Sequence, residues 1–221
     1  PVALVLGGGV HVLDATLELG PEHSNLTFIS APGDTKAVVT GAVPLQLEWK
    51  PFDVDKASVS DMTGSLQGAD GLIIAVGFVP GNPFKMNAAA HAVDNVGTVK
   101  LIDAAKAAGV KKIVLVSSIL TDAGAWGQLD SAGYKITNAF GSVLEEKLVA
   151  EKYLRGSGID WTIVRPGGLK ADPPTGALFV SGENTLNSGE ISRDLVADVS
   201  VAALFDSKAS NKVSLRLGGL A

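Results

Sequence analysis

Short apolar runs separated by helix-compatible stretches recur along this chain, and that alternation limits its fold more than any other feature. The runs are Val2–Leu6, Leu26–Ile29, Leu45–Trp49, Leu72–Val76, Ile113–Val116 and Trp161–Val164. Each is nearly continuous in hydrophobic residues and short, as expected of strands covered on both faces of a parallel sheet. Parallel neighbours need a long crossover, and a helix supplies it. Between the fourth and fifth runs, Val96, Val99, Ile102 and Ala105 recur at helical spacing, with Gly109 as the stop. A second helix carries Leu144, Leu148, Tyr153 and Leu154 and ends near Gly156-Ser157-Gly158. A third carries Leu195, Val196, Val199 and Ala203, with Ser192 as its N-cap. Residues 170–190, rich in Pro, Gly, Asn and Ser, break the alternation and read as an irregular substrate-side insertion. The expected fold is α/β: a doubly wound parallel sheet with helices on both faces and a small C-terminal substrate-side lobe.

Composition narrows what such a sheet can do. With 221 residues, 46% of them hydrophobic, the chain fills one core and reads as a single domain over 1–221. The mean hydropathy of +0.29 is high. Even so, the longest apolar runs fall well short of the ~20 residues that span a bilayer, so no transmembrane segment is expected. A net charge of −5 offers no footprint for nucleic acid. Cysteine is absent, which excludes disulfides and thiol chemistry, and His11, His23 and His91 lack metal-ligand spacing. A chain opening on Pro1, directly before a strand, is expected to have lost an N-terminal segment such as a targeting peptide.

Ligands of open parallel sheets collect at the carboxyl ends of the strands, so residues there are the candidates. Gly7, Gly8 and Gly9 follow the first strand where a dinucleotide loop belongs, but they are adjacent instead of spread over about seven residues. Two readings stand: a shortened pyrophosphate cradle, or a tight strand-to-helix turn. The second strand ends in Ser30, where a carboxylate or arginine would choose between NAD and NADP. Asp53 and Val54, after the third strand, are placed to meet an adenine edge, and Asp53 is equally a helix N-cap. Val76 and Gly77 close the fourth strand beside a cofactor ribose, and Asn95 opens the crossover helix as a cap or a support for nearby backbone. Ser117 and Ser118 end the fifth strand with hydroxyls at the sheet edge. Pro166, Gly167 and Gly168 end the sixth, where proline fixes the chain and glycine permits close approach of a planar ring.

Val93-Asp94-Asn95-Val96-Gly97-Thr98, residues 112–120, Ala150-Glu151-Lys152-Tyr153, Trp161 to Leu169 with Asp172-Pro173-Pro174-Thr175-Gly176, and Ile191-Ser192-Arg193-Asp194 together resemble the atypical short-chain dehydrogenase/reductase family. The likeness is to its plastid NAD(P)-binding branch, which is related to the pyridine-nucleotide-binding subunit of the inner-envelope translocon. It implies a Rossmann-like fold, NADP(H) as the cofactor, a chloroplast location and a place in an organellar or thylakoid protein complex. It also implies catalytic roles for Ser118, on a substrate carbonyl, and for Lys147, on the nicotinamide ribose. The proton-donating tyrosine of that pattern would stand four residues before Lys147, and Val143 stands there instead. Tyr134 lies roughly three and a half turns upstream, so it would need a different backbone path. Two functions follow: a catalytically impaired NAD(P)-binding protein in a binding, regulatory or accessory role, or an active NADPH-dependent reductase of a small carbonyl or alkene. An isomerase or epimerase is a third, opposed by Val143 because those reactions also begin with hydride transfer.

Overall fold

The computed structural model describes residues 2–6, 26–30, 53–139, 141–171 and 178–218. Among them, strands β1 (Val2–Leu6), β2 (Leu26–Ser30), β3 (Gly71–Ala75), β4 (Lys112–Val116), β5 (Asp160–Pro166), β7 (Leu178–Ser181) and β9 (Lys212–Gly218) form one sheet in the order β2-β1-β3-β4-β5-β9-β7. Every pairing is parallel except β7 with β9, which makes one edge antiparallel. The chain steps outward from β1 to β2 and then returns to β3 on the other side of β1. That reversal is the switch point at which open α/β sheets hold ligands. A separate two-stranded sheet pairs β6 (Gly168–Lys170) with β8 (Glu190–Ser192), so the irregular insertion expected over 170–190 contains strand structure. The expected strand Leu45–Trp49 lies outside the described residues.

Side chains alternate across the sheet with the period of two that strands impose. Leu72, Ile74, Ile113, Leu115 and Ile163 point to one face, where α1 (Val59–Ser65), α3 (Thr98–Ala108) and α5 (Val143–Gly156) contribute Met62, Leu101, Ile102 and Leu154, joined by Leu66 at the cap of α1. Ile73, Val114 and Val164 point to the other, under Val199, Ala203 and Leu204 of α6 (Arg193–Phe205).

Helix ends follow from local chemistry. Ser192 caps α6 as expected, its hydroxyl accepting from the Leu195 N–H at 3.2 Å. Gly109 ends α3 at φ +79°, and the Val110 N–H returns to the Ala105 carbonyl at 3.0 Å, the closing bond of a Schellman turn. α3 is preceded by α2 (Met86–Ala90) and a π-helical turn over His91–Gly97, so one helical stretch changes pitch on its way across the sheet. The first amides of α5 are satisfied from outside the helix: Ser142 N–H donates to Asn87 Oδ1 at 3.1 Å and Leu144 N–H to Asn138 Oδ1 at 3.0 Å. Gly141 permits the close approach, since a Cβ there would stand 3.0 Å from the Met86 carbonyl oxygen.

Candidate functional site

Lys147 projects from α5 to the exit of β3. Its Nζ lies 2.8 Å from Asp94 Oδ1 and donates to the Val76 carbonyl at 3.4 Å. Asp94, 1% exposed, also accepts from the Phe78 N–H through Oδ2 at 3.2 Å. A carboxylate removed from water must be paired, so Asp94 fixes the lysine and the backbone beyond Val76 together. Gly77 lies against this pair, and a Cβ on it would meet Asp94 Oδ1 at 3.7 Å, an ordinary contact. The protein itself leaves room there for a Cβ.

The supporting residue is Asp94, which corrects the expectation for Asn95. Asn95 Nδ2 donates to Glu146 Oε2 at 2.6 Å, and His91 Nδ1 lies 3.0 Å from the same oxygen. Asp94 and Asn95 both lie in the π turn His91–Gly97, and such turns are frequent at functional sites.

At the exit of β4 the two serines part. Ser118 is half-buried at the sheet edge. Ser117 is buried, and its hydroxyl donates inward to Glu151 Oε1 at 2.5 Å. The Ser117 side chain is thus turned into the protein, since a buried carboxylate recruits donors within reach. Glu151, fully buried on α5, also accepts from Thr121 Oγ1 at 3.1 Å and from Arg165 through Nε at 3.0 Å and Nη2 at 2.5 Å. Arg165 is 1% exposed; burial works against its charge, but the Glu151 carboxylate outweighs that and raises its pKa. This two-pronged pair directly underlies Pro166, whose carbonyl accepts from the Ile119 N–H at 3.0 Å. Gly167 is buried, and Gly168 N–H bonds to the Gly189 carbonyl at 2.9 Å, where the lobe joins the sheet. The structure thus brings Val76, Gly77, Asp94 and Lys147 together on one rim and aligns Ser117, Ser118, Pro166, Gly167 and Gly168 along the adjoining strand ends.

Both tyrosines of the chain are committed elsewhere. Tyr134, on α4 (Ala132–Asn138), donates its hydroxyl to Glu145 of α5. Burial first, and then the Glu145 carboxylate, push its pKa up to about 12. Tyr153 donates to Asp103 Oδ1 at 2.5 Å, and that carboxylate raises its pKa as well. Val143 is buried at the first turn of α5.

At the nucleotide end, Asp53 accepts from the Asp55 N–H at 3.0 Å and from Lys56 Nζ at 2.7 Å. It caps its own turn and not α1, which Ser58 caps in a reciprocal box with Asp61. Val54 packs against Gly97, where a Cβ would stand 3.1 Å from its methyl. Gly7, Gly8 and Gly9 lie outside the described residues. Sequence reasoning missed Asp94, Glu151 and Arg165 as paired charges. Their signal was a carboxylate on the apolar stripe of Leu144 and Leu154, and an arginine inside the strand run Trp161 to Pro166.

Comparison with known proteins agrees with the fold. Residues 38–207 match the model of a family described as NAD(P)H-binding. An uncharacterized chloroplastic protein of Arabidopsis thaliana is 52% identical over 146 residues, which cover 64% of this chain and 50% of that one. The chloroplastic protein TIC 62 of Pisum sativum is 36% identical over 70% of this chain and 28% of its own length. Sanguinarine reductase of Eschscholzia californica is 37% identical over 54% of this chain and 43% of its own. The chain therefore spans half or less of the length of these three relatives. The crystal structure of an oxidoreductase from Lactococcus lactis superposes with a TM-score of 0.72 at 22% identity, covering 99% of this chain and 91% of that one, and so shares the fold. No helix among the described residues is long and apolar enough to cross a membrane. The family match makes this chain a member of the NAD(P)H-binding family, and its sheet order is that of a Rossmann-like fold.

Proposed function

We propose that this chain binds NADP(H) along the carboxyl edge of its sheet and works as a catalytically impaired member of its family, in a regulatory or accessory role in a chloroplast protein complex. The observation that carries this reading is the state of the phenols. The chain has two tyrosines, each hydrogen-bonded to a carboxylate that raises its pKa, and position 143 beside Lys147 is a buried valine. A general acid must give up a proton near the working pH, and both phenols hold theirs against a carboxylate.

The residues present fit a dinucleotide. Lys147, held at the Val76 carbonyl, is placed for the hydroxyls of a nicotinamide ribose. Pro166, Gly167 and Gly168 offer a flat backbone approach for the ring, and Asp53 and Val54 a turn for the adenine. Bound NADPH would supply a hydride; Ser118 would orient an acceptor, and the proton would have to come from water. The plastid location and complex rest on the chloroplastic relatives, TIC 62 among them.

Thermal unfolding with NADPH tests the binding. A ligand at 100 times its dissociation constant stabilises the folded state by about 2.7 kcal/mol, a rise of roughly 5–10 °C for a chain of this size. Lys147→Met should lower the melting temperature without ligand, because Asp94 loses its cation, and should also shrink the NADPH-induced rise. No rise at millimolar NADPH removes the nucleotide from the proposal. The sanguinarine reductase relative favours a second reading, an active reductase of a small carbonyl or alkene. NADPH oxidation by simple quinones or aldehydes well above the enzyme-free rate selects it.

A further inference from the structure

Residues 181–187 form a strap across the carboxyl edge that touches both of its walls. Glu183 Oε1 lies 2.6 Å from Arg155 Nη2 and 3.2 Å from Arg165 Nη2. Leu186 packs on the cluster of Ile119, Leu120, Ala123 and Leu144, and Asn187 Nδ2 donates to Gln128 Oε1 at 3.1 Å. At the hub stands Asn184, left-handed at φ +57°. Its Oδ1 accepts from Arg165 Nη1 at 3.1 Å and its Nδ2 donates to Asp122 Oδ2 at 3.4 Å.

We propose that Asn184 is a positioning residue that locks the 119–138 wall to β5 and thereby sets the substrate end of the groove, leaving the nucleotide end alone. The proposal rests on the reading of this edge as an NADP(H) site. Three features argue for it. Glu151 holds Arg165 through two of its nitrogens, so Nη1 points in a fixed direction and becomes a rigid post. A carboxamide can accept from a guanidinium and donate to a carboxylate at once; a carboxylate at 184 would face Asp122 with like charge. Asparagine also tolerates the left-handed backbone that the strap requires. Lys147, by contrast, is held by Asp94 and Val76 on the other rim.

The test uses hydrogen exchange and NADPH titration on the full chain. Asn184→Gly keeps the backbone conformation and removes the hub. Exchange in peptides covering 119–138 should quicken by roughly three- to tenfold, the equivalent of about one lost hydrogen bond, with the NADPH dissociation constant unchanged within about twofold. Asn184→Asp should quicken the same peptides. Adding Asp122→Asn should restore them, because the amide at 122 then donates to the carboxylate at 184 while Arg165 still does. The rescue isolates the contact between 184 and 122 from a general loss of stability, and the unchanged NADPH affinity confines its effect to that wall. The proposal is overturned if 119–138 keeps its parental exchange, if the double variant fails to recover, or if NADPH affinity falls in step with the exchange. Absence of NADPH binding in the parent would sink the nucleotide reading alone, and the exchange data would still decide whether Asn184 couples the two walls.

Discussion

Replacing Glu151 by glutamine keeps the shape of the buried cluster and removes its negative charge. Arg165 is 1% exposed and Glu151 fully buried, so the guanidinium would be left charged without its counter-ion, and an amide N–H would face one of its own donors. Breaking a buried pair by removing one partner costs about 3–5 kcal/mol, which for a chain of this length lowers the melting temperature by roughly 6–20 °C. Glu151→Leu with Arg165→Met removes both charges and should cost less than either single change. It is not expected to be free, because the Ser117 hydroxyl loses its acceptor, at about 1–3 kcal/mol. Urea unfolding at constant slope gives each term of the cycle. A Glu151→Gln loss under about 1 kcal/mol, the range of an exposed pair, would refute the argument, as would singles that add to the double.

Phenolate absorbance should show Tyr134 ionising near pH 12, with Tyr153 also above the ordinary pH 10. For a group whose folded pKa is raised, the stabilisation is fully present below the unfolded value, about 10, and is lost as pH climbs through the folded one. A tyrosine titrating at or below its ordinary pKa would overturn the assignment of both as spectators. Gly109→Ala, at φ +79°, should destabilise the fold by about 1–2 kcal/mol in the same urea assay. A neutral result would mean that the end of α3 rearranges.

The sheet was legible because fully buried strands announce themselves. Residues 113–116 are apolar on both faces, and Val2–Leu6 is a continuous apolar run in the sequence. Gly109 and Ser192 were legible for the same reason, each being a residue type whose backbone or side chain suits one end of a helix. β9 was harder: in Lys212 to Gly218 polar and apolar residues alternate, and it joins the sheet far along the chain from β5, its parallel partner. β7 hides inside a stretch whose prolines and glycines read as loop. Lys147 could be placed from its spacing to Gly156 and Gly158, but its partner could not, because a π turn is a feature of backbone pitch that residue types do not encode. The direction of the Ser117 hydroxyl was not legible, because the sequence shows a polar residue at a strand end without showing which way it turns. That direction is set by Glu151, which is distant in the chain.

The ammonium of Lys147 rests on a carboxylate that water does not reach, so together they present a dipole to the groove and little net charge. A phenol introduced at residue 143 would meet that dipole instead of a lone cation, and would gain less help in ionising than an unpaired ammonium gives. On the proposed reading, restoring proton transfer involves two sites, 143 and 94, and Val143→Tyr alone is expected to give no NADPH oxidation by simple quinones above the enzyme-free rate.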